Sequence, residues 1–537
     1  MFSFFADNLV PHYPLLAYHW ARTDDDARAF DYLELAGEEA FKNFANEEAV
    51  KFFLEALARD AAAGAPNPVR RRAHWELRCG EAFVLWTRYR DAREHIERGL
   101  ELLGVKVPRT TGSQALALIK GLTRQALHRT LPAVYLKSQE ADRERLLAAS
   151  RASQRLVEVY YHSGELLGAT HLTFQALNLA ELADDSAELV ESYSGAAPFF
   201  YFIGLKKTTE AHFRRAERAY RTANNLRAYA YYLLVRCGIL IGEGDWDQAR
   251  SVSIELIAAG EQLGSVRRQN DGRQHLMLLE FMHGNYPAGT EAAAELLPAA
   301  RQIQDARFEG YALYGQAYCA FFRGDYDFCT ELLDRLMRLY LEDGAFTDEQ
   351  FALNMFGLHS LLLARSGDRE SALVAAGEAE KLMAGAFQAS FFTLPGYLTT
   401  AETYFHLWEI RQTEPELKDR ARSVVAALGR YARTFPIGKP AHALYAGLHR
   451  YLSGKPARAT KIWTGALEKW EGLMPYECTR LHLELARRET GQDPESRARH
   501  RTAAEEGVRE LGLAFEARIL DSSWIETKGN TDPNEKA

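Results

Sequence analysis

The hexapeptides GELLGA (residues 164–169), GDWDQA (244–249), GNYPAG (284–289), GDYDFC (324–329) and GDRESA (367–372) decide the fold. With Gly204 included, the glycines from residue 164 to residue 324 stand 40 residues apart, and the next follows after 43. Glycine adopts the left-handed conformation without a steric penalty, so each hexapeptide predicts the end of one helix and the start of the next. A fixed period of this kind is typical of a helical hairpin stacked on copies of itself, and not of a closed catalytic domain.

A contact position follows five places after each glycine. The residues at this position are small, namely Ala169, Thr209, Ala249, Gly289, Cys329 and Ala372. Close crossing of two helices needs small contact residues, so these positions predict the interface within each hairpin. The spacing resembles the tetratricopeptide repeat, in which a tyrosine pair such as Tyr160 and Tyr161 precedes the glycine. We therefore expect an all-α fold, a tetratricopeptide-like right-handed superhelical solenoid of antiparallel helix pairs with about 40-residue repeats.

The same small, bulky, small triplet extends the period toward both ends of the chain. It recurs at Ala29–Leu33–Ala36, Ala49–Phe53–Ala56, Ala92–Ile96–Gly99 and Ala459–Trp463–Ala466, with Asp24, Phe44 and Thr87 replacing the first three turn glycines. Two gaps of about two periods each predict a degenerate helical pair around residues 112–150 and another around residues 391–430. The resulting division is N-terminal tetratricopeptide-like repeats (1–107), a basic degenerate helical pair (108–150), regular 40-residue helical repeats (151–390), C-terminal helical repeats and cap (391–525) and a disordered tail (526–537).

Composition and motifs argue against a catalytic or nucleic-acid-binding protein. The net charge is −8, which gives no global reason to expect nucleic acid. The five cysteines have no metal-binding spacing and are predicted to be buried thiols. The phosphate loop G-x-x-x-x-G-K-[ST], the G-x-G-x-x-G fingerprint and H-E-x-x-H are missing, so we predict no cofactor, no metal and no enzyme activity. No apolar run is long enough to span a membrane, and we expect a cytoplasmic protein.

A basic segment lies between the first and second groups of repeats. Residues 104–137 contain six Lys and Arg and no acidic residue, and Leu116, Ile119, Leu122 and Leu127 recur there at helical spacing. Such a helix either docks an acidic partner or lies on a membrane surface, or it packs on the solenoid with its basic face in water. We predict a possible basic docking surface at Lys120, Arg124 and Arg129, and we do not predict contact with a membrane surface.

An aromatic stripe precedes Gly324. Tyr311, Tyr314, Tyr318 and Phe321 follow one another at spacings of three, four and three, which places them on one face of a helix. Tyrosine offers a large rigid contact with a polar tip, which suits recognition of a protein or peptide partner, although aromatic stripes also form cores. The three tyrosines are the predicted partner-binding groove.

The opening of the chain has a more specific pattern. The segments LLAYHW (15–20), AGEEA (36–40) and ANEEA (45–49), with the loop from Leu102 to Pro108 and the basic Leu127-His128-Arg129, resemble the C-terminal tetratricopeptide region of bacterial adenylate/guanylate cyclases that contain an AAA-type ATPase. The resemblance implies a regulatory arm whose ATPase and cyclase modules, in cis or in trans, lie outside this sequence. It also implies that catalysis belongs to those modules.

Two other interpretations remain open at this point. One is the effector-binding helical-repeat arm of an ATP-dependent LuxR-type transcriptional activator, which would need a helix-turn-helix that residues 511–525 do not offer. The other is an enzyme with a site that no known motif marks.

Overall fold

The computed structural model describes residues 9–43, 45–63, 66–86, 88–136, 142–183, 186–342, 348–385, 390–410, 414–488 and 494–529. Within these ranges the chain forms 26 α-helices and no β-strand. Phe44 and Thr87, two of the predicted replacements for a turn glycine, lie outside the described residues. So does most of the predicted tail, residues 530–537.

The chain divides into two compact units, one of residues 1–200 and 206–232 and the other of residues 201–205 and 233–537. The helices are α1 (Tyr13–Trp20), α2 (Asp26–Lys42), α3 (Asn46–Ala62), α4 (Val69–Leu85), α5 (Tyr89–Leu102), α6 (Thr111–Thr130), α7 (Pro132–Tyr135), α8 (Arg143–His162), α9 (Leu166–Ala183), α10 (Ala187–Phe202), α11 (Lys206–Ala223), α12 (Leu226–Glu243), α13 (Trp246–Gln262), α14 (Val266–Met282), α15 (Tyr286–Gln302), α16 (Ala306–Phe322), α17 (Tyr326–Met337), α18 (Glu349–Ser366), α19 (Arg369–Gly385), α20 (Leu394–Ile410), α21 (Pro415–Thr434), α22 (Gly438–Leu452), α23 (Pro456–Trp470), α24 (Pro475–Arg488), α25 (Pro494–Leu511) and α26 (Ala514–Gly529).

The predicted turns are confirmed. The six glycines from Gly164 to Gly367 that set the period all have φ between +73° and +90°, the left-handed region that favours glycine. The residue after the glycine then caps the next helix. The side chains of Asp245, Asn285 and Asp325 each accept a hydrogen bond from a backbone N–H three residues on. One Gly-Asp or Gly-Asn pair thus ends one helix and starts another.

Helical hairpins follow in chain order, eleven of them in the described residues, from the pair α2 and α3 to the pair α24 and α25. The contact positions five residues after the turn glycines are buried, as the period predicts: Ala169, Thr209, Ala249, Gly289, Cys329 and Ala372. This confirms the all-α, tetratricopeptide-like class of repeat. Both units are built from such hairpins.

Residues 112–150 differ from the predicted degenerate pair. They contain the 20-residue helix α6, the four-residue α7 and the beginning of α8, and α8 forms its hairpin with α9. Helix α6 packs on α9 as an additional element. The polar side chains along its buried face explain this arrangement, as shown below.

In the second unit, the C-terminal part of the chain lies along the turns of the regular repeats. A Cβ atom on any of three turn glycines would come within 2.5 Å of a side chain from this region, namely Leu473 at Gly244, Leu511 at Gly284 and Ala514 at Gly324. The indole Nε1 of Trp246 also donates a hydrogen bond to the carbonyl oxygen of Leu473 at 2.8 Å. Glycine is therefore needed at these turns for close approach as well as for its backbone conformation.

Candidate functional site

Helix α6 is held at its start by its own capping residues. The Thr110 hydroxyl accepts a hydrogen bond from the Ser113 backbone N–H at 3.3 Å, and the Ser113 hydroxyl accepts one from the Thr110 N–H at 3.1 Å. This reciprocal arrangement satisfies two N–H groups that the first helical turn leaves free. It fixes where the helix begins.

Helix α6 packs on α9, and its fully buried side chains are polar. Gln114, Gln125 and His128 are buried, although they are the residues that an isolated amphipathic helix would turn toward water. The Gln125 side chain donates to Glu181 Oε2 at 2.6 Å and to Asn178 Oδ1 at 3.1 Å. The Asn178 side chain in turn donates to the α6 backbone, at the carbonyl oxygen of residue 121, at 3.1 Å. Hydrogen bonds, and not apolar contacts alone, therefore attach α6 to α9.

Glu181 is the centre of this attachment. Burial alone would raise the pKa of its carboxyl group, but His128, Arg129 and Tyr193 lower the pKa to about 2. His128 Nδ1 lies 2.6 Å from Oε2, while Arg129 Nη2 and the Tyr193 hydroxyl donate to Oε1 at 2.5 Å and 2.7 Å. A buried carboxylate with this many partners is costly to disturb, because removing one partner leaves the charge incompletely compensated.

Arg129 therefore has a different place from the one predicted for it. Its guanidinium binds the buried Glu181 carboxylate and lies 5.5 Å from the Tyr193 ring. It anchors α6 to its unit and leaves Lys120 and Arg124 as the exposed cations of the predicted basic surface. Neither of these two forms an ion pair with any described residue.

The opposite face of α6 exposes large apolar side chains. Leu116 is 69% exposed and Ile119 is 61% exposed, and Lys120 lies on the same face because residues i, i+3 and i+4 are neighbours on a helix. Further exposed apolar side chains follow the end of α6. We call the following residues the α6 surface: Leu116, Ile119, Lys120, Arg124, Leu131, Val134 and Tyr135, all exposed.

Sequence reasoning identified this helix and its cations but not the orientation of its faces. The usual expectation is that the apolar stripe of a helix faces the core. A second stripe, Gln114–Gln125–His128, also recurs at helical spacing, and it is the signal that indicates which side of the helix is buried.

The tyrosine stripe of α16 lies in the core of the second unit. Tyr311, Tyr314 and Tyr318 are all buried. The ring centroid of Tyr311 lies 4.8 Å from that of Phe392, and its hydroxyl donates to Asp348 Oδ2 at 3.0 Å. These rings pack against other parts of the unit, so the structure offers no open groove at the predicted position. This corrects the placement of the partner-binding groove.

The residues that cover the tyrosine stripe are far from it in the sequence, which explains why the stripe was predicted to be a groove but is buried. Phe322, next to the stripe, has its ring centroid 4.7 Å from Tyr318 and 4.8 Å from Tyr476. Tyr476 belongs to α24, far along the chain from α16. A single repeat gives no sign that a distant helix covers it.

The described residues also bear on the predictions about metal ions, cysteines and membrane-spanning helices. No group of three or more His, Cys, Asp or Glu side chains among them is placed to hold a metal ion. All five cysteines are buried and free, which confirms that prediction. Burial raises the pKa of the Cys79 thiol to about 12 and that of Cys478 to about 11. In the described part of the chain, none of the helices combines the length and the apolar character needed to cross a membrane.

Comparisons with known proteins give similarities at the level of structure. No family model and no curated protein matches the chain. Among solved structures, it is similar to a Rap protein complexed with competence and sporulation factor, at 12% identity and a TM-score of 0.41, over 81% of this chain and 100% of the other.

Two further structures are similar over most of this chain. One is a signal transduction ATPase with numerous domains (STAND) that has a tetratricopeptide repeat sensor, from Pyrococcus horikoshii, with 12% identity, a TM-score of 0.35 and coverage of 77% and 54%. The other is yeast Tom70, with 11% identity, a TM-score of 0.33 and coverage of 98% and 100%. These are similarities of helical-repeat architecture, and they assign no function to this chain.

Proposed function

We propose that this chain is a non-catalytic protein-interaction and regulatory module of a signalling protein, and that the α6 surface binds an acidic partner protein. The observation that carries the proposal is that α6 leaves two large apolar side chains in solvent while its fully buried positions are polar. The helix buries hydrogen-bonded polar side chains and exposes Leu116 and Ile119.

The energetics of this surface favour a partner. Full burial of one exposed Leu or Ile side chain contributes about 1.5–3 kcal/mol, so leaving several of them together in water is unfavourable unless another surface covers them. Lys120 and Arg124 are exposed on the same helix and form no ion pair with a described residue. The complementary surface is therefore apolar at its centre and acidic at its edge.

A protein partner fits better than a lipid surface. Each Lys or Arg near an anionic bilayer contributes about 1 kcal/mol, and the α6 surface has only two unpaired cations. Its apolar part includes the ring of Tyr135, a residue type enriched at protein interfaces. The resemblance of residues 15–49 to the tetratricopeptide region of ATPase-linked nucleotide cyclases further suggests that the partner is an ATPase or cyclase module, in cis or in trans.

The test places a photo-crosslinking amino acid at position 119 of the full chain in its native cell extract. The crosslinked protein is identified, and the affinity between this protein and the chain is then measured with purified components. We expect Leu116→Glu combined with Ile119→Glu to weaken that binary affinity by about tenfold or more, because interface anchors carry most of the binding energy. Val374→Glu is the matched control, since Val374 is 65% exposed on α19 of the other unit.

The proposal fails if the double variant binds the crosslinked protein as tightly as the unmodified chain does. It also fails if phosphatidylserine-containing vesicles bind the chain and lose binding with the double variant while no protein crosslinks at position 119. Unchanged thermal unfolding of the variants, followed by circular dichroism, shows that the fold is intact.

A further inference from the structure

The second unit has an open groove between the antiparallel helices α22 and α23, with a volume of about 560 Å³. Five cationic side chains and one histidine line it, and no acidic side chain does. The cationic residues are Lys439, Arg450, Arg458, Lys461 and Lys469. We call this feature the basic groove.

The cations of the basic groove have no carboxylate partner among the described residues, which distinguishes this groove from one in the first unit. The latter, between α4 and α8, is also lined by arginines, but they are paired. Arg78 binds Glu81 at 2.8 Å and Arg151 binds Glu188 at 2.6 Å. No ion pair with a described residue therefore offsets the positive charge of the basic groove.

The charges of the basic groove are spread along its length. Because α22 and α23 are antiparallel, Lys439 and Lys469 lie at one end of the groove, and Arg450 and Arg458 lie at the other. Eleven residues of helix separate Lys439 from Arg450, a distance of about 16 Å at 1.5 Å per residue. An anion of phosphate size contacts only one end at a time.

Between the two charged ends, the floor is apolar. Ala446, Ile462 and Gly465 are among the residues that form it. A Cβ atom built on Gly465 has no neighbouring atom within 4 Å, so the space above this residue is open. The groove thus offers cations at both ends and an apolar contact in the middle.

We propose that the basic groove binds an acidic segment of a partner protein, with carboxylates at the two ends of the groove and an apolar side chain on its floor. The proposal deepens the proposed interaction function by naming the chemistry of a second contact surface, and it rests on that function. Its residues belong to α22 and α23 and not to α6, so the two surfaces can be tested separately.

The experiment measures fluorescence anisotropy of a fluorescein-labelled peptide of about 16 residues, with glutamates at both ends and leucines in the middle, binding to the full chain. The same peptide with every Glu replaced by Gln is the control for charge. A single-stranded oligonucleotide of equal net charge and inorganic pyrophosphate serve as competitors.

We expect the acidic peptide to bind and the Gln peptide to bind at least tenfold more weakly, with affinity falling as salt is added, because unlike charges at a surface are screened. Arg458→Glu combined with Lys461→Glu reduces affinity by about tenfold or more, and Gly465→Leu reduces it by filling the floor. Lys207→Glu is the matched control, an exposed cation of the other unit.

Equal binding of the acidic and Gln peptides overturns the proposal, as does unchanged affinity for the Arg458 and Lys461 double variant. If the oligonucleotide or pyrophosphate displaces the peptide at an equal concentration of charge, the groove is a general anion site and the proposal is likewise wrong. Leu116→Glu combined with Ile119→Glu should leave peptide binding unchanged. A failure at α6 is therefore distinguishable from a failure at the basic groove.

Discussion

The same substitution at two buried tyrosines should change the free energy of unfolding in opposite directions. Tyr314 on α16 and Tyr445 on α22 are both fully buried. The Tyr314 hydroxyl has no hydrogen-bond partner among the residues that the structure describes, whereas the Tyr445 hydroxyl donates to Glu402 Oε2 at 3.0 Å. Tyr→Phe removes only the hydroxyl, so the two variants isolate its contribution.

The magnitudes follow from the cost of an unpaired buried polar group. Burying a hydroxyl without a partner costs about 1–3 kcal/mol, so Tyr314→Phe should stabilise by about 1 kcal/mol after allowing for the small space that the oxygen leaves. A hydrogen bond to a charged group contributes about 1.5–3 kcal/mol, so Tyr445→Phe should destabilise by about 2 kcal/mol. Burial alone would raise the pKa of Glu402, but Arg480, Arg365 and Tyr445 lower it to about 2, so the acceptor is ionised.

Urea unfolding of the full chain, followed by circular dichroism, measures both changes, and hydrogen exchange of peptides from α16 and α22 localises them. If Tyr314→Phe destabilises the chain, then its hydroxyl is paired in solution and the burial argument for the α16 stripe fails. If Tyr445→Phe is neutral, the contact with Glu402 contributes nothing. Tyr314→Ala should cost about 3–5 kcal/mol in either case, because it empties a core position.

Three other predictions test packing and charge. Gly447→Ala should destabilise by about 2 kcal/mol in urea unfolding, since a Cβ atom there would lie 2.0 Å from Trp463 Nε1, whereas Gly465→Ala should stabilise by up to about 1 kcal/mol. Burial raises the pKa of the Glu477 carboxyl group to about 8. The contribution of Glu477 to the stability of the fold is therefore complete below pH 4.5 and is lost as the pH rises toward 8. Melting curves should show that Glu477→Gln stabilises the chain more at pH 8 than at pH 5. The pKa of Glu181 is lowered to about 2, so the contribution of this carboxylate to the stability of the fold is present above pH 4.5 and is lost as the pH falls through 2. At pH 7, Glu181→Gln should therefore speed hydrogen exchange in α6.

The repeats were predictable because their determinants are local. Gly244 ends one helix, Asp245 caps the next, and Ala249 packs in the hairpin that results. Six consecutive residues contain the whole signal, and its recurrence every 40 residues removes the ambiguity of a single instance.

The surroundings of each repeat were not predictable in the same way. Tyr311 is covered by Phe392 and the Tyr318 cluster extends to Tyr476, both from repeats far along the chain. An aromatic stripe has the same spacing whether it faces a ligand or a distant helix. Only the tertiary contacts distinguish the two.

The basic groove has a partial signal in the sequence. From Lys439 to Leu467 the chain contains five Lys and Arg and no acidic residue. That charge is divided between two helices, and only the hairpin between them brings Arg450 close to Arg458. A count of charge along the sequence does not show that the two helices share one groove.

The closure of the second unit limits where recognition can occur. Arg480 donates to the buried Glu402 at 2.8 Å, and Arg365 lies 3.4 Å from the buried Glu516, so ion pairs join α18, α20, α24 and α26. Breaking a buried pair by removing one partner costs about 3–5 kcal/mol, which opposes any opening that would expose the tyrosines of α16. A partner of this unit must therefore bind outside the closed interior, where side chains already face solvent. The basic groove is such a place, because its cations form no ion pair with the described residues of their own unit.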